Sequence, residues 1–183
     1  MMISPMVTLQ PIAPTDRDPF DQVVEIYLSS FPREERREVS SMEWLLEHEE
    51  SYHLLAIQES DETVGMFAYW DLGETVYLEH FALDPKWRGD GIGTVALTQL
   101  MERLAPRTVL FEVELPETEV AKRRIGFYER LHFKLWRDFP YEQPPYRAED
   151  SWLPMILVTN GREPHEELVE ELYRKVYHIT SNG

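Results

Sequence analysis

The stretch Leu78–Leu104, LEHFALDPKWRGDGIGTVALTQLMERL, runs from a strand through a tight loop straight into a helix. Arg88-Gly89-Asp90-Gly91-Ile92-Gly93-Thr94 stands at the junction. Glycines there let the backbone approach a ligand and turn its N–H groups outward, and the start of the helix adds partial positive charge. Together they make an anion site suited to a pyrophosphate. A dinucleotide-binding GxGxxG would need a glycine where Thr94 stands, and no Lys-Ser or Lys-Thr pair opens the helix as a P-loop would. Asp90 is compatible with phosphate if its carboxylate faces solvent while its amide donates. The competing reading is a glycine-rich turn with a structural role alone.

Working outward, the three runs Tyr52–Gln58, Thr63–Asp71 and Glu74–Leu83 are rich in aromatic and aliphatic residues and separated by hairpin-length links. They read as an antiparallel meander. Ahead of them, Val7–Ile12 reads as a strand, and Asp18 as N-cap with Pro19 opens a helix carrying Phe20, Val23, Val24, Tyr27, Leu28 and Phe31. Ser40 with Glu43 reads as the capping box of a second helix bearing Trp44, Leu45 and Leu46. Downstream, the pattern predicts a strand over 109–115 with Glu112 and Glu114 on its polar face. A helix over 118–131, a strand over 133–139, a proline-rich aromatic loop and a strand over 152–159 follow. Pro164 opens a glutamate-rich amphipathic helix, read as a solvated face or a homodimer contact. No repeat or linker interrupts this order, so residues 1–183 are expected to form one α+β domain, its core about 7–159 and its C-terminal helix about 164–178.

The 183 residues carry 34 acidic and 18 basic side chains, a net charge of −16 that repels nucleic acid and anionic membranes and favours cations. There are no cysteines, which excludes disulfides, thiolate metal sites and a cysteine thioester intermediate. The histidines show no metal-ligand spacing, so no metal is expected. Residues 1–14 lack the basic and apolar regions of a secretory signal, and no run is apolar enough to span a membrane, so the expected location is cytoplasmic.

Arg88-x-x-Gly91-x-Gly93, the strand Leu78–Pro85 before it, and Ile125-Gly126-Phe127-Tyr128-Glu129-Arg130-Leu131-His132-Phe133 after it together resemble the GNAT superfamily of acetyl-CoA-dependent N-acetyltransferases. The resemblance covers about residues 7–159. It implies a GNAT-like fold, a mixed, mainly antiparallel central sheet flanked by helices. It also implies that Arg88, Gly89, Asp90, Gly91, Ile92, Gly93 and Thr94 hold the CoA pyrophosphate, and that Phe81, Ala82 and Leu83 pair with the pantetheine. Two positions depart from the family pattern: Ala121 stands where many members have a cofactor-binding Asn, and His132 replaces the helix-ending glycine, so that this cap must be made differently.

Acetyl transfer to an amine needs a base for the ammonium, stabilisation of the oxyanion and a proton for the departing thiolate. The resemblance makes Tyr128 the candidate acid. Glu79, interrupting the strand Val76–Phe81, is the first candidate base, with an edge or solvent-facing carboxylate as its structural alternative. Glu112 is the second candidate base. His80 falls on the face opposite Glu79. With no cysteine, direct transfer is expected. The resemblance assigns acceptor binding to the loop between the first two helices and to residues 140–146. Phe31, Glu34, Tyr141 and Tyr146 there suit a small cationic amine; arginines 33, 36 and 37 leave open an anionic one. The alternative function is a non-catalytic acyl-CoA sensor or scaffold on the same fold.

Overall fold

The structure, a computed structural model, describes residues 6–180. Residues 1–5, part of the stretch read above as lacking a signal, and residues 181–183, counted in the single domain, lie outside the described residues. The chain divides into two compact units, Met1–Asp71 with Leu78–Pro106, and Leu72–Tyr77 with Arg107–Gly183.

The first unit contains strands β1 (Val7–Pro11), β2 (Tyr52–Glu59), β3 (Glu62–Asp71) and most of β4 (Thr75–Leu83), with helices α1 (Arg17–Ser30), α2 (Val39–His48) and α3 (Ile92–Leu104). Pairing runs β1-β2-β3-β4. The β1–β2 and β2–β3 ladders are antiparallel, with Leu9 opposite Ile57 and Leu55 opposite Phe67. The core takes Phe20, Val23 and Tyr27 from α1, Leu54–Ile57 and Met66–Ala68 from the strands, and Ala96, Leu97 and Leu100 from α3. Gln99 Nε2 and Arg103 Nη2 donate to the carbonyls of Val7 and Leu9, fastening α3 to β1.

Two helix readings need correction. The N-cap of α1 is Asp16 rather than Asp18, its carboxylate accepting from the Ala13 amide. Ser40 lies inside α2, whose N-cap Glu38 makes no side-chain cap, so the expected capping box does not form. On α2 only Met42 and Leu45 are buried, and Trp44 lies outside, stacked on His48.

The second unit contains β5 (Thr108–Glu114), α4 (Glu119–Arg130), β6 (Lys134–Trp136), β7 (Glu142–Gln143), β8 (Leu153–Thr159) and α5 (Glu166–Val176). The opening residues of β4 pair parallel with β5, Thr75 to Thr108 through Tyr77 to Leu110. β5 pairs antiparallel with β8, and β8 with β6 and β7. Asn160 closes the end of β8, its Oδ1 accepting from the Val109 amide. β6 is shorter than the expected strand over 133–139, and the two-residue β7 is not foreshadowed in the sequence. Thr118 caps α4 by accepting from the Ala121 amide. At the other end His132 itself adopts the left-handed conformation, φ 66°, and the amides of His132 and Phe133 bond the carbonyls of Glu129 and Tyr128. The cap therefore keeps the geometry glycine would give it, with a histidine bearing the strain. α5 begins at Glu166 rather than Pro164, with His165 as its N-cap accepting from the Leu168 amide. The expected fold class holds: α+β, mainly antiparallel, with β4 and β5 parallel.

Candidate active site

In the first unit β4 leads into a 3-10 turn, Pro85–Trp87, set by the Asp84 carboxylate accepting from the Lys86 amide at 3.0 Å. Arg88 Nε then folds back to donate to the Leu83 carbonyl at 3.2 Å, so the loop begins close to the strand end. Gly89 and Gly91 take φ of 94° and 81°, and a Cβ at either would meet nothing within 4 Å. Their outer side is therefore open space. Gly91 is the left-handed N-cap of α3 and supplies no side-chain cap, leaving the leading amides, which have no partner within the helix, available to an anion. Ile92 and Gly93 are buried, so at those positions only backbone is on offer, whereas Asp90 and Thr94 are exposed.

Phe81 stacks on Phe67 at 4.6 Å between ring centroids, and Ala82 is buried. A Cβ on Gly65 would stand 2.6 Å from the Ala82 carbonyl oxygen, so the close approach of β3 to this part of β4 requires glycine there. The sequence reading missed Gly65; a lone glycine inside an apolar strand is the signal that marks such an approach.

The Glu79 carboxylate is not solvent-facing. Its side chain is fully buried, and Arg37, itself 9% exposed, pairs with it through Nη2 at 2.9 Å and Nε at 3.1 and 3.2 Å. Trp70 Nε1 donates to the same carboxylate at 3.1 Å, and the guanidinium lies 5.5 Å from the Trp70 ring centroid. Burial pushes the Glu79 carboxyl up, but Arg37, His80 and the donated hydrogen bonds outweigh it and hold the group below its usual range. His80 is a core residue: Tyr27 and Phe31 pack on its ring at 4.8 and 4.7 Å, and Nε2 donates to the Glu35 carbonyl at 2.9 Å. Burial lowers its pKa, more than the attraction of Glu79 raises it.

These contacts pin the segment between α1 and α2. The Arg37 amide donates to the Tyr27 hydroxyl at 2.7 Å, and Arg36 Nη1 donates to the carbonyls of Leu28 and Phe31. Phe31 is half-buried on His80, and Glu34 is exposed on a 3-10 turn, Arg33–Glu35. Arg37, read above as one of three arginines that could hold an anionic acceptor, is thus a core residue paired with Glu79.

In the second unit Tyr128 lies buried on α4, its ring 4.5 Å from Phe111 and 6.0 Å from Phe133. Burial pushes its hydroxyl up to about 12, with Arg124 opposing. Among the described residues that hydroxyl has no hydrogen-bond partner. Glu112 is half-buried on β5 and accepts from the hydroxyl of Tyr77, which in turn lies 2.8 Å from the Tyr177 hydroxyl. Glu114 pairs with Arg124 at 3.5 Å. Tyr141 is buried, with its ring 5.9 Å from Tyr173, rather than forming an exposed wall, and Tyr146 is half-buried 5.5 Å from Tyr177. Tyr77 and Tyr177 escaped the sequence reading because aromatic residues on buried strands and helix ends read as packing. Their signal is that a buried phenol must find a polar partner.

Among the described residues no group of three or more His, Asp or Glu is placed to hold a metal, and no helix is long and apolar enough to cross a membrane. The family model described as "Acetyltransferase (GNAT) family" matches residues 20–133. A Bacillus subtilis (strain 168) protein, "Putative acetyltransferase YjbC", is 27% identical over 150 residues, 80% of this chain and 74% of that protein. The structure of "Putative acetyltransferase from GNAT family from Bacteroides thetaiotaomicron" superposes with a TM-score of 0.87 at 37% identity, covering 94% of this chain and 99% of the other. Arabidopsis thaliana Naa50, solved in complex with the bisubstrate analogue CoA-Ac-MVNAL, shares the fold at a TM-score of 0.61 and 16% identity over 85% of this chain and 99% of its own. The chain belongs to the acetyltransferase (GNAT) family of enzymes.

Proposed function

We propose that the protein moves the acetyl group of acetyl-CoA directly to a primary amine on a small cationic acceptor. The observation that carries this is the loop over 88–94, where open space over Gly89 and Gly91 meets the uncapped start of α3. When bound, acetyl-CoA supplies an activated thioester. Arg88–Thr94 hold its pyrophosphate through backbone amides, and Phe81, Ala82 and Leu83 align its pantetheine. Tyr128 keeps its proton at neutral pH and is the donor to the departing sulfur.

Glu112 rather than Glu79 is the proposed base, because Glu79 is sealed in its pair with Arg37. Glu112 takes the proton that the acceptor nitrogen sheds as its C–N bond forms, and Tyr128 protonates sulfur as the C–S bond breaks. The net charge of −16 favours a cationic acceptor, for which Phe31, Glu34 and Tyr146 are the proposed recognition residues.

The test is release of free CoA from acetyl-CoA across a panel of cationic and anionic amines, with acetyl-CoA binding by calorimetry. Turnover with cationic amines is expected, and Gly91→Asp is expected to abolish acetyl-CoA binding by adding bulk and negative charge at the helix start while the protein stays folded. Binding without CoA release from any amine would favour the sensor reading. Unchanged affinity in a folded Gly91→Asp variant would remove the loop assignment.

A further inference from the structure

From the hydrogen bonds around β5 we infer that the C-terminal helix takes part in the chemistry: Tyr177, acting through Tyr77 and steadied by Gln143, is a positioning residue for the Glu112 carboxylate. This rests on Glu112 being the base proposed above. The four side chains come from β4, β5, β7 and the residue closing α5, all within the second unit. Gln143 and Tyr177 lie beyond residues 20–133, where the family match ends.

The direction of the chain follows from counting protons. An ionised carboxylate only accepts, so the Tyr77 hydroxyl donates to Glu112. The Tyr77 oxygen then accepts from the Tyr177 hydroxyl at 2.8 Å. That commits the single proton of Tyr177, whose oxygen accepts from Gln143 Nε2 at 3.2 Å. Each donor is oriented by the next, and the series ends on the carboxylate. Tyr77 is 1% exposed, so its hydroxyl has to be satisfied within the protein. Burial first, then Glu112 and Tyr177, drives the Tyr77 hydroxyl well above the ordinary phenol range, which keeps it a donor at any working pH. The α5 end is itself fixed by Leu168, Leu172 and Val176, all buried, and by the Tyr173 hydroxyl donating to the Glu142 carbonyl at 2.7 Å.

Titratable groups around Glu112 include four phenols, Tyr77 on β4, Tyr141 before β7, and Tyr173 and Tyr177 of the C-terminal segment, with Tyr146 acting on Tyr77. Hydrogen bonds donated to a carboxylate favour its charged form. Without Tyr177, the Tyr77 hydroxyl loses the donor that polarises it, and Glu112 is both less firmly oriented and more easily protonated.

Tyr177→Phe removes one hydroxyl and little volume. Wild type, Tyr177→Phe, Tyr77→Phe and the double variant are compared by CoA release against pH with a cationic amine, alongside calorimetric acetyl-CoA affinity and thermal unfolding. Tyr177→Phe is expected to lower kcat about three- to tenfold and to move the acidic limb of kcat/KM up by about 0.5 to 1 pH unit, the size of one lost hydrogen bond. Acetyl-CoA affinity is expected to stay unchanged. The double variant is expected to be no slower than Tyr77→Phe alone, because Tyr177 acts through Tyr77. A carboxyl carbon-13 titration of Glu112, assigned by its loss in Glu112→Gln, is expected to move in the same direction without reference to turnover.

A Tyr177→Phe variant with wild-type kcat and an unmoved titration overturns the inference and leaves the function standing. So does a double variant whose losses multiply. A wild type that releases no CoA with any amine overturns the enzyme reading and this inference with it.

Discussion

Glu79 on β4 and Glu112 on β5 both interrupt apolar strands, yet the protein holds them differently. Glu79 is enclosed by Arg37 and Trp70, with its side chain wholly out of solvent. Glu112 is half-buried and accepts from a phenol, Tyr77, which leans on a second, Tyr177. A guanidinium in direct contact neutralises a carboxylate and lowers its affinity for protons. A phenol orients a carboxylate while leaving its charge in place. The difference gives Glu79 an architectural place, pinning the segment between α1 and α2, and is the reason Glu112 rather than Glu79 is the proposed base.

The largest effect expected from breaking this division is on stability. Arg37→Met leaves the Glu79 charge buried without its partner and should cost about 3 to 5 kcal/mol in denaturant unfolding. Adding Glu79→Gln to that variant should recover part of the loss, since the orphaned charge is then gone. A single variant as stable as wild type would show that the pair is not structural.

Acid should expose the same region. Both Glu79 and His80 have pKa values lowered by the fold, so the unfolded chain binds more protons than the native one as pH falls. The native advantage is complete above the unfolded values. It should begin to fade below about 6.5 as His80 protonates in the unfolded chain and fade further below about 4.5 through Glu79. The Arg37→Met/Glu79→Gln variant should lose the second phase in unfolding curves taken from pH 7 to pH 3. An unchanged acid profile would mean that other groups dominate.

The smallest effect lies in the second unit, away from Glu112. His132 bears the left-handed conformation at the end of α4, and His132→Gly should raise stability by about 1 kcal/mol, giving a scale against which losses around Glu112 are read. A destabilised His132→Gly variant would mean that the imidazole makes a contribution larger than the strain.

The loop over 88–94 and its helix were legible because glycine spacing at a strand-to-helix junction has few physical meanings, and Gly89 and Gly91 take the conformation that spacing implied. The helix read over 118–131 was legible as well, and α4 begins within a residue of that start. Arg37 was not: Pro32–Glu38 looks like a solvated segment, and only the tertiary fold brings its last arginine to a residue 42 positions away. Tyr177 meets Tyr77 at a separation of 100 residues, and the amphipathic pattern of its helix shows an apolar stripe without showing what that stripe packs on. Strand parity told that Glu79 and His80 face opposite ways, but not that both faces are filled.

The division between the two carboxylates is tested most directly by CoA release from acetyl-CoA with a cationic amine, in Glu112→Gln and in Arg37→Met/Glu79→Gln, each rate divided by the folded fraction. Glu112→Gln should lose about 100- to 10,000-fold at an unfolding midpoint near that of wild type, the range for a removed general base. The double variant should unfold earlier while its folded molecules keep the wild-type rate within about fivefold. The reverse outcome, a fast Glu112→Gln and an inert but folded double variant, would contradict the account and return the base to Glu79.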